Sequence, residues 1–117
     1  MKVIQLFFPG PMGGAEKVLL SGVKALQENG FETEIWVIQE HRVPYCADDF
    51  LTEANELGLK TKAYTCYSVF DRKLKKGLTK KLLAENPDIV HAHGFKAALY
   101  GHLCTPQRAK LIITHHG

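Results

Sequence analysis

Long apolar runs are the first thing missing from this chain of 117 residues. The N-terminal stretch KVIQLFF stops at Pro9. That is well short of a secretory h-region or a bilayer-spanning helix, and no later segment comes closer, so a soluble chain is expected. Cysteine is scarce as well. Cys46, Cys66 and Cys104 are odd in number, far apart and free of any C-x-x-C spacing, which argues against a disulfide framework or a zinc ribbon and points to a reducing cytosol. Repeats, linkers and low-complexity tracts are absent too, so the reading is one domain over residues 1–117, too short for two independent cores. A formal charge of +3 is too mild for a dedicated nucleic-acid binder, and no nucleic-acid partner is expected.

What is present is an alternation of short apolar runs with helical patterns. KVIQLFF reads as a strand. Residues 15–29 put Ala15, Leu19, Gly22, Val23 and Leu26 on one face of an amphipathic helix, with Gly30 as a left-handed stop. TEIWVI, 33–38, has the continuous apolar character of a strand buried on both faces. HRVPYCADD reads as a polar loop, around which Tyr45, Cys46 and Phe50 are placed to shape a ligand pocket. Asp48 or Asp49 then caps a short helix ending before Gly58. LKTKAYTC is a more polar, edge-like strand. A lysine-rich helix from Phe70 to Glu85 carries Leu74, Leu78 and Leu82 and ends before Pro87. DIVHAHG, KAALYGHLC and KLIITHH complete the series as strand, small-residue helix and strand. The order βαβαβαβαβ predicts an α/β fold: a Rossmann-like, doubly wound parallel sheet of five strands, ordered 3-2-1-4-5, with helices on both faces. The sequence stops at Gly117 directly after the fifth strand, where such a domain normally continues into a covering helix. The expectation is an incomplete domain, with exposed apolar surface there through which copies associate.

The first strand breaks into PGPMGG, with Gly10, Gly13 and Gly14 within five residues, and a helix starts at once. In a sheet of this order ligands bind beyond the carboxyl ends of the strands, where the order reverses between the first and fourth. Glycines on that lip permit close backbone approach, and the helix start offers free N–H groups to a phosphate. G-x-x-G-G is not the dinucleotide fingerprint G-x-G-x-x-G, and Gln39 with Glu40 is a weak ribose-binding pair, so an ordinary NAD site is disfavoured. A tight turn with no ligand would also account for the glycines.

MGGAEKVLL after the first strand, PDIVHAHG at the fourth and LIITHHG at the fifth together resemble the N-terminal domain of GT-B glycosyltransferases, specifically the retaining glycosyltransferase family four. The resemblance covers nearly the whole chain. It implies the acceptor-side domain of an enzyme that moves a sugar from a nucleotide-sugar donor to a glycan or lipid-linked acceptor with retention, a hexosyltransferase type, in glycan, lipopolysaccharide or capsule synthesis. It implies no cofactor, since the nucleotide sugar is a substrate, and no metal. A second domain, which binds the donor through a paired-glutamate motif, is missing from this sequence, and the fragment alone is expected to be inactive. By resemblance Gly13 and Gly14 lie near the donor phosphates with Glu16 on the first helical turn, and His116 lines the cleft near the transferred sugar as the catalytic candidate.

His91 and His93 point to one side of their strand, with His115 and His116 ending the next. Such clustering admits zinc and a metal hydrolase, although no H-E-x-x-H motif accompanies it. His91 reads as a buried, hydrogen-bonded histidine; His93 and His116, nearer the strand tips, are the functional candidates, His93 as a substrate contact. His41 and His102 read as loop and helix-surface residues. The six cations Arg72, Lys73, Lys75, Lys76, Lys80 and Lys81 read either as a solvated helix face or as a peripheral contact with anionic lipid at the inner face of a membrane, on a cytoplasmic protein. A non-catalytic Rossmann-like module holding a phosphorylated small molecule is the alternative to the transferase.

Overall fold

The computed structural model describes residues 1–42 and 44–115, with backbone alone at 44 and 45. The strands β1 (Lys2–Phe7), β2 (Glu32–Glu40), β3 (Lys60–Cys66), β4 (Ile89–His93) and β5 (Lys110–Thr114) alternate with the helices α1 (Gly14–Glu28), α2 (Pro44–Glu56), α3 (Arg72–Glu85) and α4 (Phe95–Cys104). The sheet order is β3-β2-β1-β4-β5, and all four pairings are parallel. This is the expected Rossmann-like sheet, with the order reversing between β1 and β4.

Side-chain alternation along the central strands sends one set of residues to each face. Ile4, Leu6, Trp36, Ile38, Val90 and Ala92 pack with Leu74, Leu78 and Leu82 of α3 and Ala97 and Tyr100 of α4. Phe7, Ile35 and Val37 pack with Leu19, Leu20 and Val23 of α1 and Ala47, Phe50 and Ala54 of α2. Burying each large apolar side chain is worth roughly 1.5–3 kcal/mol, so the two filled faces hold the sheet between its helices. The small residues of α4 have a packing reason. A Cβ on Gly101 would lie 3.0 Å from Leu111 Cδ1 and 3.3 Å from Ala92 Cβ, so glycine lets α4 sit close on β4 and β5.

Several local expectations are corrected. α2 begins at Pro44 and carries Asp48 and Asp49 inside it; proline is at home in the first helical turn, where its fixed φ suits the helix and its missing N–H costs nothing. Phe50 therefore belongs to the core and not to a pocket loop, and the Tyr45 side chain lies outside the described residues. α3 begins at Arg72, because Asp71 Oδ1 accepts from Leu74 N at 3.0 Å and caps it. The buried stripe of α1 is Glu16, Leu19, Leu20 and Val23, with Gly22 exposed. Gly30 does follow α1 at a positive φ of 87°. β5 ends at Thr114, and His115 is exposed beyond it. Beside β5, Ile112 is 36% exposed, and the neighbouring groove over β4 is lined by Val18, Leu19, Val23 and Leu26 of α1 together with Gln5, His91, His93 and Thr114.

Candidate functional site

The carboxyl ends of β1 and β4 open into a cleft of about 490 Å³ lined by Phe7, Phe8, Pro9, Gly10, Pro11, Ala15, Ile38, Glu40, Cys46, His93 and Gly94 to Ala97. Two helices begin on its rim, and both are entered through a glycine N-cap. Gly13 and Gly94 stand at the N-caps of α1 and α4, and neither helix has a side chain bonded to its first N–H groups. The orphan amides of both first turns are thus left for water or a ligand.

The loop glycines do not owe their place to backbone strain. Gly13 is extended, with φ −158°, and the positive-φ glycines are Gly30, Gly58 and Gly94. A Cβ at Gly13 would meet Glu16 Oε1 and Pro11 O at 3.6 Å, ordinary contact, and one at Gly14 would meet nothing within 4 Å. Neither backbone strain nor crowding demands glycine at these two positions. Gly94 is different: its φ of 89° is a conformation that favours glycine, and it is locked by Gly94 N donating to Thr114 O at 2.8 Å.

Glu16 is buried, and its Oε2 accepts from Gly10 N at 3.0 Å. It ties the loop to the first helical turn. Its carboxylate is thereby engaged within the protein. His93 is 7% exposed at the tip of β4. Its Nε2 donates to Gln5 Oε1 at 2.6 Å, across the β1–β4 pairing. His91 lies beneath it with ring centroids 4.0 Å apart, and shares a 2.6 Å hydrogen bond with Thr114 Oγ1. His91 is hydrogen-bonded within the sheet as the sequence suggests but half-buried rather than buried, and His93 both lines the cleft and belongs to that network. His116 and Gly117 lie outside the described residues. Among the described residues no group of three or more His, Cys, Asp or Glu is arranged to hold a metal, and no helix is long and apolar enough to cross a membrane.

A second, smaller pocket of about 210 Å³ adjoins the cleft, sharing Phe8, Glu40, Phe95 and Lys96 with it and adding His41, Arg42, Cys66 to Val69, Leu99 and Tyr100. Tyr100 forms its floor, stacked on Phe8 at 5.9 Å. Burial pushes the Tyr100 phenol up to about 12, so it stays a neutral donor and acceptor, and it accepts from Asp71 N at 2.9 Å. Sequence reading missed this pocket. The only signal for it is an aromatic and a β-branched residue in YSVF, between a strand and a capping aspartate.

The sequence model described as Glycosyltransferase Family 4 matches residues 12–117, from the glycine loop through the last strand. The chain belongs to that family. Among solved structures, one described as a UDP-N-acetylglucosamine 2-epimerase from Listeria monocytogenes is similar with a TM-score of 0.71 and 23% identity over 97% of this chain. This chain spans 30% of that protein, and the likeness establishes the shared fold. A universal stress protein from Archaeoglobus fulgidus has a TM-score of 0.48 and 10% identity, over 97% of this chain and 92% of its own. No curated protein sequence matches significantly. The domain is thus of the glycosyltransferase GT-B type, as its motifs suggest.

Proposed function

We propose that this family 4 domain is the acceptor-side half of a nucleotide-sugar-dependent, retaining glycosyltransferase, acting in glycan, lipopolysaccharide or capsule synthesis without cofactor or metal. In this reading the donor diphosphate lies across the rim of the β1–β4 cleft. Backbone N–H groups at the starts of α1 and α4 take the negative charge that grows on the diphosphate as the sugar leaves. Gly13 and Gly14 admit the phosphates to the backbone, and Glu16 holds the loop in that shape. His93 orients the cleft wall, and His116, beyond the last strand, offers its ring to the transferred sugar.

The observation that carries the proposal is the pair of uncapped glycine N-termini at the reversal of strand order, with loop glycines that the fold itself does not require. The test is Gly13→Val in the enzyme that joins this domain to a donor-binding domain. An extended φ accommodates valine, so the fold should hold, while transfer should fall about 100-fold, the scale of losing charge-stabilising donors. Unchanged turnover in a folded variant would return the loop to a purely structural role.

The same proposal gives the α3 face a task. Arg72, Lys73, Lys76, Lys80 and Lys81 are exposed and Lys75 is half-buried, while the leucine stripe is spent on the core. Binding would therefore be electrostatic, to anionic lipid at the inner face of the membrane. Vesicles rich in phosphatidylglycerol should sediment the chain at low salt, and Lys76→Glu with Lys80→Glu should abolish it; sedimentation that survives both changes refutes the contact.

A further inference from the structure

The pocket beside the cleft has walls that a folded surface does not normally show to water. Val69 is 87% exposed, Phe95 81% and Tyr67 70%, and they stand together over the Phe8–Tyr100 floor. Clustered exposed apolar side chains of this kind mark a binding surface.

These side chains are also held in place. Tyr67 N donates to Asp71 Oδ2 at 3.0 Å, Cys66 Sγ donates to Ser68 O at 2.9 Å, Ser68 Oγ donates to Phe70 O at 3.0 Å, and Asp71 N donates to Tyr100 OH at 2.9 Å. The His41 ring lies against Tyr67 with centroids 4.8 Å apart. Four hydrogen bonds and a stacked ring fix a loop that presents its apolar residues outward. A pre-ordered apolar wall loses little entropy when a ligand meets it.

Charge on the rim selects the ligand further. The Lys96 ammonium is paired with the Glu40 carboxylate, so those two cancel. Among the described residues Arg42 has neither an ion pair nor a side-chain hydrogen bond, and it is exposed on the same rim. The net character is a small apolar cradle with one unpartnered guanidinium at its mouth, a group suited to a phosphate or another planar or trigonal oxyanion.

We infer that this pocket holds an amphiphile: an apolar chain or ring seated between Val69, Tyr67 and Phe95, joined to an anionic group of the phosphate type on Arg42. The inference rests on the transferase reading only for its further meaning, that the amphiphile is the lipid-linked acceptor and its sugar reaches into the adjoining cleft.

Decyl phosphate, kept as dispersed monomers, is the probe, with inorganic phosphate and decyl maltoside as its two halves, each titrated into the chain by calorimetry. Decyl phosphate should bind with one-to-one stoichiometry and at least about tenfold more tightly than either half. Val69→Asp and Arg42→Gln, both on exposed side chains where the fold is not at stake, should each weaken it by about tenfold. Binding that ignores both substitutions, or uptake that appears only once the probe forms micelles, overturns the inference.

Gly13→Val separates the two proposals, because it should leave decyl phosphate binding intact. If it abolishes transfer while the pocket variants still bind decyl phosphate normally, the pocket reading falls and the transferase stands. If the pocket variants lose the probe while transfer is indifferent to Gly13, the pocket stands and the roles assigned across the cleft fall.

Discussion

At the amino end of the sheet Glu85 takes an ammonium on each carboxylate oxygen, Lys2 and Lys62 both at 2.6 Å. Glu34 accepts from Trp36 Nε1 at 3.1 Å and lies 3.8 Å from Lys62, and Asp88 Oδ2 accepts from Lys2 N at 2.7 Å. At the carboxyl end the helices α1 and α4 start on glycines with no capping side chain. α3 makes the contrast within one element type: its start is capped by Asp71, and its end carries Glu85. The amino end answers its charges internally and so contributes stability; at the carboxyl end Asp71 caps α3 and Lys96 pairs with Glu40, yet the starts of α1 and α4 leave donors open, which is what binding an anion requires. The difference teaches where to read function in this chain: in groups the fold could have satisfied and did not.

After Gly13→Val, the largest expected effect also lies at the open end. In the transferase proposed above, His116→Ala should lower kcat at least about tenfold, or roughly 1.4 kcal/mol of transition-state stabilisation. His115→Ala should cost clearly less. Steady-state kinetics of both variants decide it, and equal losses would remove the distinction between the two histidines.

Next in size is Gly94→Ala, which asks whether the open end is built from the same tolerance throughout. Gly13 is extended, and a Cβ there has ordinary room, whereas Gly94 sits at φ 89°. Alanine at 94 should destabilise the chain by roughly 1–2 kcal/mol through backbone strain alone. Urea unfolding at neutral pH would show it. A variant as stable as the parent would mean that the β4–α4 turn relaxes, and that φ alone does not require its glycine.

Much of this architecture was legible in the sequence, for physical reasons that differ by element. β2 reads as doubly buried because Ile35, Trp36, Val37 and Ile38 run on without a polar break, and all four are fully buried. Leu74, Leu78 and Leu82 find the core at the spacing that predicts it. The start of α2 was hidden because Asp48 and Asp49 are good caps by type, and only the preceding turn decides whether they are used. The roles of Glu16 and His93 were hidden more deeply. Each depends on a partner, Gly10 N or Gln5 Oε1, brought near by loop closure or strand pairing. The pocket at Tyr67 to Val69 was invisible, since exposure of an apolar loop is a property of what surrounds it.

The smallest expected effect tests the closed end and is a matter of pH. A carboxylate at the last turn of a helix is disfavoured by the helix dipole, yet hydrogen bonds from Lys2 and Lys62 hold the Glu85 carboxyl down to about 2, from an ordinary 4.5. The two ammonium groups outweigh the dipole. Because the folded-state value lies below the unfolded one, the stabilisation is complete above about pH 4.5 and is lost as pH falls toward 2. The shift alone would correspond to more, but solvent reaches Glu85 and Lys62, and screening reduces the net contribution to about 1 kcal/mol. Glu85→Gln should therefore cost about that much at pH 7, and the gap between variant and parent should narrow through pH 4 to 3 and close near pH 2. High salt should narrow it at pH 7 as well. Urea titrations across that range provide the measurement. A loss independent of pH and salt would mean that Glu85 acts through packing, and the amino end would then owe its stability to the two apolar cores and not to its ion pairs.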